Sequence, residues 1–397
     1  MFKRINSLLA LALLSSACTL TIGWPSRLSN ELAPTEVALS TTAEPVSSAQ
    51  VVRPPEPIAL PQGFAISVFA EGLQKPRMLA VGPDGLLYVA ERGAGRIVRL
   101  PDANGDGLAD GIDVVAEELE DPTSLAFYQD GSLYVAEMTR VVRFSAPDGN
   151  GIFQDKEVVI PDLPSGHHST RTITFSPDYT ALYISIGSSC NLCIEEDERR
   201  AAILRYHLDD GRMTLFARGL RNAVGLTFRP GTDQLWVTNN GTDLMGDDLP
   251  PETVYIVEGG QDYGWPRCHA GRIADPEFGQ SGACDGIPRA VIEITAHSAP
   301  LGLAFYTGQA FPEEYRGDLF VALHGSWNRS TPSGYKVVRV PMDGDRPGPA
   351  EDFAVGWLRE NGQAWGRPVA VITGADGSLF VSDDSSGRIY RIFYTGK

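Results

Sequence analysis

The sequence predicts an all-β fold, specifically a six-bladed β-propeller with four-stranded antiparallel blades. One pattern recurs six times after residue 58, in which an apolar strand, a tight turn and a second apolar strand follow one another. Turns of the Pro-Asp-Gly type between alternating β-branched and aromatic residues are typical of β-hairpins. Successive copies are separated by roughly 45 to 75 residues, which fits one blade per repeat with variable insertions.

In each copy the second strand tends to end in Val-Ala or Val-Ser, and a strand containing Arg among aliphatic residues follows. One repeat is too short to bury a two-sheet core alone, which favours a single closed ring over a row of sandwiches. The strand at 65–69 precedes the first complete copy, and we expect it to form the outer strand of the last blade. The copies lie at 78–100, 124–144, 172–206, 225–257, 302–340 and 369–393.

The composition is that of a globular protein with a large negative charge. Of 397 residues, 43% are hydrophobic, and 50 Asp and Glu outnumber 33 Lys and Arg, giving a formal charge of −17. Such a molecule repels nucleic-acid phosphates and anionic membrane surfaces, so we exclude nucleic-acid binding. An anionic small ligand would need a local group of Arg, Lys or metal.

The amino terminus has the order of residues found in secretory signals. Lys3 and Arg4 precede an apolar run at 8–14, and small residues follow, which predicts a signal peptide over 1–17 and export. Ser-Ala-Cys at its end resembles a lipobox, although the usual Leu is replaced by Ser. We expect Cys18 to be lipidated; ordinary cleavage leaving a free thiol is the alternative.

Residues 18–57 are predicted to be the lipidated Cys and a flexible tether, because Ser, Thr, Ala and Pro dominate and no apolar period is present. The propeller domain is then 58–397. The expected location is periplasmic or at the cell surface, with membrane contact only through the lipid.

Four further cysteines form an even set in an exported chain, where disulfides persist. The spacing of Cys190 and Cys193 would also suit a redox or zinc motif. No second pair of this kind supplies the remaining zinc ligands, so structural disulfides are favoured. The expected pairs are Cys190 with Cys193 and Cys268 with Cys284.

Titratable groups recur where the repeats open. His167 and His168 lie just before the inner strand of the third repeat, and histidine is the side chain most easily poised as a base near neutral pH. The alternative is one His in a turn and one exposed. The stretches 218–222 and 365–368 open the fourth and sixth repeats and would point two guanidinium groups into one channel.

Two loops offer oxygen ligands for Ca²⁺. The loop 239–248 follows the second strand of the fourth repeat and contains Asn, Asp and Gly residues, with Asp247 as a candidate ligand. The loop 102–110 places Asp and Asn at alternate positions around Gly, as at the start of an EF-hand loop. Ordinary turn chemistry explains both compositions as well.

From about residue 61 to 394 the chain resembles the soluble sugar dehydrogenases that use pyrroloquinoline quinone (PQQ), most closely their sorbosone-dehydrogenase-like branch. Several of the shared segments are long and unusual. They are GHHSTRT, IGSSCNLC, RRAAILRY, GLRNAVGL, NNGTDLMGDDLPPE, YGWPRC, HSAPLGLAFY, GDLFVALHGSWNRS, GYKVVRVP and WGRPV.

The resemblance implies a catalytic base. In that family a His on the third blade removes the hydroxyl proton as hydride passes to the quinone. Counting back from the turn at 176–178 places His168 at this position, whereas counting back from Arg171 favours His167. We choose His168.

The resemblance also implies a cofactor site. The Arg-Asn pair that touches the quinone matches Arg221 and Asn222, and the carbonyls that bind Ca²⁺ match Gly241 and Thr242. An Arg near a PQQ carboxylate matches Arg367. The family's Lys has no clean counterpart, and the candidates for that part of the pocket are Arg329, Lys336, His324 and Trp327.

These residues suit the chemistry of the cofactor. PQQ carries three carboxylates, so an acidic protein needs Arg side chains and Ca²⁺ as local countercharge. The implied function is PQQ- and calcium-dependent oxidation of an aldose or sorbosone-like hydroxy-aldehyde, with a quinone or cytochrome as external electron acceptor. No GxGxxG motif opens a strand-helix unit, which disfavours a nicotinamide enzyme. The alternatives are a calcium-dependent lactone hydrolase and a non-catalytic carbohydrate-binding propeller.

We predict that the mature protein begins at Cys18 and carries acyl groups, because the small residues at 15–17 precede a Cys in lipobox order. Mass spectrometry of the amino-terminal peptide from natively expressed protein checks this. A mature start at any other residue, without acyl groups, would contradict it.

Overall fold

The computed structural model of the protein describes residues 51–396. Their six four-stranded antiparallel sheets confirm the all-β, six-bladed propeller. Two single-turn 3₁₀ helices, Arg92–Ala94 and Glu313–Tyr315, are present, and no helix in this part of the chain is long and apolar enough to cross a membrane. The signal peptide predicted over 1–17, Cys18 and most of the predicted tether lie outside the described residues.

The six sheets are numbered as blades 1 to 6, and their strands are given from the innermost to the outermost. Blade 1 is Pro76–Val81, Leu87–Glu91, Arg96–Leu100 and Asp113–Ala116; blade 2 is Ser124–Phe127, Leu133–Ala136, Val141–Phe144 and Glu157–Ile160; blade 3 is Arg171–Phe175, Ala181–Ile186, Ala202–His207 and Met213–Arg218. Blade 4 is Ala223–Phe228, Leu235–Asn239, Glu252–Val257 and Ile292–Ile294; blade 5 is Pro300–Phe305, Leu319–Leu323, Lys336–Val340 and Glu351–Val355; blade 6 is Pro368–Thr373, Leu379–Asp383, Arg388–Tyr394 and Phe64–Glu71. Two small hairpins pair Cys268–His269 with Ile273–Ala274 and Met342–Asp343 with Arg346–Pro347.

The ring closes as the sequence predicted. Phe64–Glu71 pairs antiparallel with Arg388–Tyr394, so the first strand in the chain is the outermost strand of blade 6. Phe64 also fixes this strand to blade 5 and to the loop between the first two strands of that blade, because its ring packs edge-on against four aromatic rings at centroid distances of 4.7 to 5.2 Å. These rings belong to Phe311, Tyr315, Phe353 and Tyr394.

All six innermost strands run in the same direction, and we call the end where they begin the upper face. The second strand of each blade is antiparallel to the first, so it ends at the upper face. The loops that follow the second strands and the linkers that enter the first strands therefore meet there.

A polar side chain near the end of the second strand holds the linker entering the same blade in four of the six blades. Each accepts a hydrogen bond from a linker backbone N–H, which fixes the linker close to the channel axis. The pairs are Gln74 N to Glu91 (2.5 Å), Glu120 N to Glu137 (2.7 Å), Asn222 N to Asn239 (3.1 Å) and Arg367 N to Asp383 (2.9 Å).

We predict that Val68→Ala in the closing strand lowers the free energy of unfolding by about 2 kcal/mol, because Val68 is 4% exposed and its methyl groups leave the core. Chemical denaturation of the variant and the wild type measures the change.

Val158→Ala is the matched control. Val158 lies on the outermost strand of blade 2 and is 49% exposed, so its truncation is expected to change stability by about 0.5 kcal/mol or less. Equal losses in the two variants would show that the closing strand is no better packed than an exposed edge.

Candidate active site

The structure brings most of the predicted site residues to the upper face. His168, Arg221, Asn222 and Arg367 all lie in linkers that enter innermost strands, in blades 3, 4 and 6. The loops 239–248 and 324–329 follow the second strands of blades 4 and 5 and reach the same face. The repeat explains this clustering, because equivalent positions of different blades surround one axis.

His168 is held by the loop that follows the second strand of blade 3. Its Nδ1 lies 2.9 Å from the Ser188 carbonyl oxygen and 3.0 Å from Ser188 Oγ. A carbonyl oxygen can only accept, so this contact assigns the proton of the neutral imidazole to Nδ1. The Nε2 atom then carries the lone pair that a general base needs.

The surroundings of His168 keep it uncharged. Burial lowers the pKa of His168 to about 3, and the positive charge of Arg221 lowers it in the same direction. His167 is exposed, and its ring stands nearly perpendicular to that of His168 at a centroid distance of 4.6 Å. Its side chain makes no hydrogen bond within residues 51–396, so only His168 has the contacts of a positioned base.

Arg171 supports the backbone that carries His168. Its guanidinium is fully buried and has no carboxylate partner among the described residues. It donates instead to the backbone carbonyl oxygens of His168 (2.8 Å), Thr170 (2.7 Å) and Pro164. Burial lowers the pKa of Arg171 to about 10, and the charge of Arg200 adds to this. The sequence contained the residue but gave no sign of this supporting role.

Asn222 lies beside His168, and its side-chain amide oxygen has no hydrogen-bond partner in the described structure. A Cβ atom placed on Gly187 would be 2.5 Å from both Asn222 Oδ1 and His168 Cβ, so glycine is what allows the two side chains to approach the same point. Asn222 Oδ1 is buried and has no hydrogen-bond partner among the described residues. An unsatisfied buried amide next to a positioned base indicates a ligand site.

Arg221 is buried in the linker that enters blade 4. It is 2% exposed, and its guanidinium donates to Asp243 (2.8 Å) and to the side chain (2.8 Å) and carbonyl (2.9 Å) of Asn191. Burial lowers the pKa of Arg221, and the charge of Asp243 opposes that effect. Arg221 therefore joins the loops that carry Asn191 and Asp243, and its contact with a quinone stays a prediction.

A second basic group lies across the face, in blades 1, 5 and 6. Arg77 Nη1 and His324 Nε2 each lie 2.8 Å from a different oxygen of Asp384. Arg367 donates to the carbonyls of His324 (3.0 Å) and Gly325 (2.7 Å). Burial alone would raise the pKa of Asp384, but the hydrogen bond from His324 and the charge of Arg77 lower it to about 2.

Sequence reasoning missed Arg77 and Asp384. Arg77 Nε is buried without a partner in the described structure, and Arg77 and His324 both contact the Asp384 carboxylate. A signal was present, because Arg77 opens the first repeat as Arg367 opens the sixth.

The loop 239–248 contains the carbonyls expected to bind Ca²⁺. Gly241 N donates to Glu252 (2.7 Å), and Thr242 Oγ1 accepts from Trp265 Nε1 (3.1 Å). The carbonyl oxygens of Gly241 and Thr242 accept no hydrogen bond from other residues in the part described. Burial raises the pKa of Glu252, a residue the sequence did not single out, to about 7.

The other predicted ligands have contacts that point to different roles. Asp247 accepts from the backbone and hydroxyl of Ser330, and Arg329 donates to the Asp247 carbonyl (2.9 Å) and to Asp248 (2.8 Å), so both residues bridge the loops of blades 4 and 5. Lys336 pairs with Asp352 on the outermost strand of blade 5. Trp327 is 70% exposed at the rim.

With this geometry established, comparisons with known proteins identify the family. A family model described as TrAA12-like matches residues 58–395. The chain belongs to the TrAA12-like family. This confirms the kinship predicted from the sequence motifs, since the relatives of this family include PQQ-dependent sugar dehydrogenases. The sorbosone-dehydrogenase-like branch is not matched separately.

Two relatives match the chain over more than half of its length. An uncharacterized protein of Borreliella burgdorferi is 35% identical over 241 residues, covering 59% of this chain and 63% of the relative. The PQQ-dependent pyranose dehydrogenase of Coprinopsis cinerea is 26% identical over 401 positions, covering 83% of this chain and 54% of the relative. The match thus spans less than two thirds of either relative.

Two solved structures share the propeller fold. The holo form of the PQQ domain of the Coprinopsis cinerea enzyme superposes with a TM-score of 0.74 at 22% identity, covering 86% of this chain and 98% of that domain. The calcium structure of a family AA12 enzyme from Trichoderma reesei gives 0.75 at 22% identity, covering 88% and 99%. At this level of identity the likeness establishes the fold.

The remaining motifs have structural explanations in this family member. The disulfides Cys190–Cys193 and Cys268–Cys284 are formed as predicted. In the loop 102–110, the carboxylate of Asp102 accepts from the backbone N–H groups of Asp106 (3.1 Å) and Gly107 (3.0 Å), which is turn chemistry.

One cavity in the described structure lies away from the upper face. It has a volume of about 440 Å³ and occupies the central channel toward the opposite end, between the later residues of the innermost strands. No charged side chain lines it, so it offers no countercharge to an anionic cofactor. The charge and the unsatisfied polar atoms favour the upper face as the reactive site.

We predict that His168 stays neutral, with its proton on Nδ1, between about pH 5 and 8, because its pKa is held far below the ordinary 6.5. Nuclear magnetic resonance of ¹⁵N-histidine-labelled protein reports both properties, and His168→Gln identifies the signal.

The lowered pKa of His168 also makes the free energy of unfolding depend on pH. Because the unfolded chain binds this proton near pH 6.5 and the folded protein only near pH 3, the protein loses stability as the pH falls from 6.5 toward 3. A His168 signal that titrates with a midpoint near 6.5 would contradict the assignment.

Proposed function

We propose that this protein oxidises a sugar or a related hydroxy-aldehyde, with PQQ and Ca²⁺ held at the upper face. The observation that carries the proposal is the neutral His168, fixed through Nδ1 by Ser188, next to the unpartnered amide of Asn222. Relatives named as a PQQ-dependent pyranose dehydrogenase and an aldose sugar dehydrogenase support this assignment.

The residues present fit the cofactor. Asn222 Oδ1 and Arg77 Nε are buried polar atoms without partners, and Arg77 and Arg367 supply countercharge for carboxylates. The carbonyl oxygens of Gly241 and Thr242, which accept no hydrogen bond in the described structure, are ligands of the type that Ca²⁺ prefers. Arg221 would act indirectly, through its hydrogen bonds to Asn191 and Asp243 in the two neighbouring loops.

In the proposed reaction, His168 Nε2 accepts a hydrogen bond from the substrate hydroxyl and then takes its proton. The Ser188 carbonyl keeps Nδ1–H in place and stabilises the imidazolium that forms. When bound, PQQ would supply the two-electron hydride acceptor and Ca²⁺ would supply Lewis-acid polarisation. The proposed external electron acceptor is a quinone or a cytochrome.

The arrangement of ligand groups disfavours the lactone hydrolase. That enzyme would need carboxylates from several blades meeting at one metal. Within residues 51–396, one group of three His, Cys, Asp or Glu side chains brings its ligand atoms close enough to hold a metal. It consists of Cys190, Cys193 and Glu195, and the two cysteine sulfurs are already bonded to each other. Sorbosone-like compounds remain candidate substrates beside the aldoses.

We also propose that the protein is exported and lipid-anchored through Cys18. Two disulfides fit an oxidising compartment, and the amino terminus has the order of a signal peptide with a lipobox-like end.

The test is reconstitution of the purified protein with PQQ and Ca²⁺, followed by dye reduction with a panel of aldoses and sorbosone. We expect His168→Gln to lower turnover by roughly two to four orders of magnitude while PQQ still binds, because base catalysis contributes that much. His167→Gln is the matched control and should have a much smaller effect.

The opposite ranking would move the base to His167. No dye reduction by the reconstituted wild type with any substrate would overturn the dehydrogenase and favour the carbohydrate-binding propeller.

A further inference from the structure

The segment 187–193, which we call the disulfide loop, contacts the candidate base. It follows the second strand of blade 3. Ser188 N donates to the Arg221 carbonyl (2.7 Å), and Ser188 Oγ donates to the Cys190 carbonyl (2.6 Å). Because the Ser188 hydroxyl proton is used in this way, Oγ can only accept from His168 Nδ1. The loop therefore determines the tautomer of His168.

Asn191 in the same loop connects Arg221 to the loop 239–248. Its Oδ1 accepts from Arg221 Nη2 (2.8 Å) and from Asp243 N (2.9 Å), and its Nδ2 donates to the Asp243 carbonyl (3.0 Å). Its own carbonyl accepts from Arg221 Nε (2.9 Å). One side chain thus links the linker of blade 4 to the loop that carries Gly241 and Thr242.

The disulfide restrains a loop that has no regular secondary structure. Residues 187–201 form no helix or strand, so no ladder of backbone hydrogen bonds fixes Asn191. The bond between Cys190 and Cys193 closes a short ring around Asn191, and Glu195 accepts from the N–H and hydroxyl of Ser189 (both 2.7 Å). Restricting the loop backbone reduces the number of conformations in which these contacts are lost.

We propose that the disulfide loop is a positioning element of the active site, in which the Cys190–Cys193 bond and Asn191 set the tautomer of His168 and the placement of the loop 239–248. Ser188 contacts the base, and Asn191 holds Arg221, whose own carbonyl accepts from Ser188 N, as well as the loop of the candidate calcium carbonyls. The kinetic part of this inference rests on the proposed function, whereas the tautomer part does not.

The test compares Asn191→Ala and the double variant Cys190→Ser/Cys193→Ser with wild type. The matched control is Cys268→Ser/Cys284→Ser, because no hydrogen bond joins residues 268–284 to His168 or Arg221 in the described structure. The first readout is the ¹⁵N spectrum of His168, which needs no cofactor. We expect both loop variants to populate the Nε2–H tautomer, while the control keeps Nδ1–H.

The second readout is PQQ affinity in the presence of Ca²⁺, together with turnover of the wild type's best sugar. We expect both loop variants to bind PQQ roughly tenfold more weakly and to lose roughly tenfold in kcat with KM for the sugar little changed, since a small misplacement of reacting groups costs at least this much. The control should lose thermal stability only.

An unchanged His168 tautomer and PQQ affinity in both loop variants would overturn the inference, and so would an equal change in the control. If the double variant fails to fold, Asn191→Ala decides alone, because it keeps the disulfide. An inactive wild type would refute the proposed function, and the tautomer comparison would still decide the role of the loop.

Discussion

The pairing of Phe64–Glu71 with Arg388–Tyr394 is the constraint on which the architecture depends. It joins the start of the described chain to its end and supplies the fourth strand of the last blade. Once the ring is closed, the six innermost strands share one axis, and residues far apart in sequence become neighbours. Arg77 and Asp384, for example, are 307 residues apart in the chain and form an ion pair.

Positively charged side chains are concentrated at the upper face of an acidic protein. A molecule of net charge −17 places several Arg side chains at the upper face and pairs only some of them with carboxylates. Burial opposes charge on each of these groups, so an anionic ligand is favoured where the cations are not fully compensated. The same burial, with Arg221 nearby, keeps His168 uncharged, so the lone pair on its Nε2 stays free.

The candidate catalytic residues and the residues around them differ in burial. His168 and Asn222 are partly open and keep atoms free for a ligand, whereas the side chains of Arg171, Arg221 and Glu252 are buried and hydrogen-bond to backbone and loops. Family resemblance identifies residues but does not give their hydrogen bonds. The bonds that join Arg221 to Asn191 and Asp243 are therefore known only from the structure.

The sequence by itself determined the propeller, the number of blades and the closing strand, because strand alternation and turns are local properties. Both expected disulfide pairs are formed, although the number of cysteines alone allows three pairings. The sequence also placed His168 and Asn222 at the same end of the channel, since equivalent positions of a repeat meet at one face. Only the tertiary structure decided which polar atoms remain free. The partners of Arg77, Arg221 and Asp247 come from other blades or from loops of irregular backbone, and such contacts leave no periodic signal in the chain.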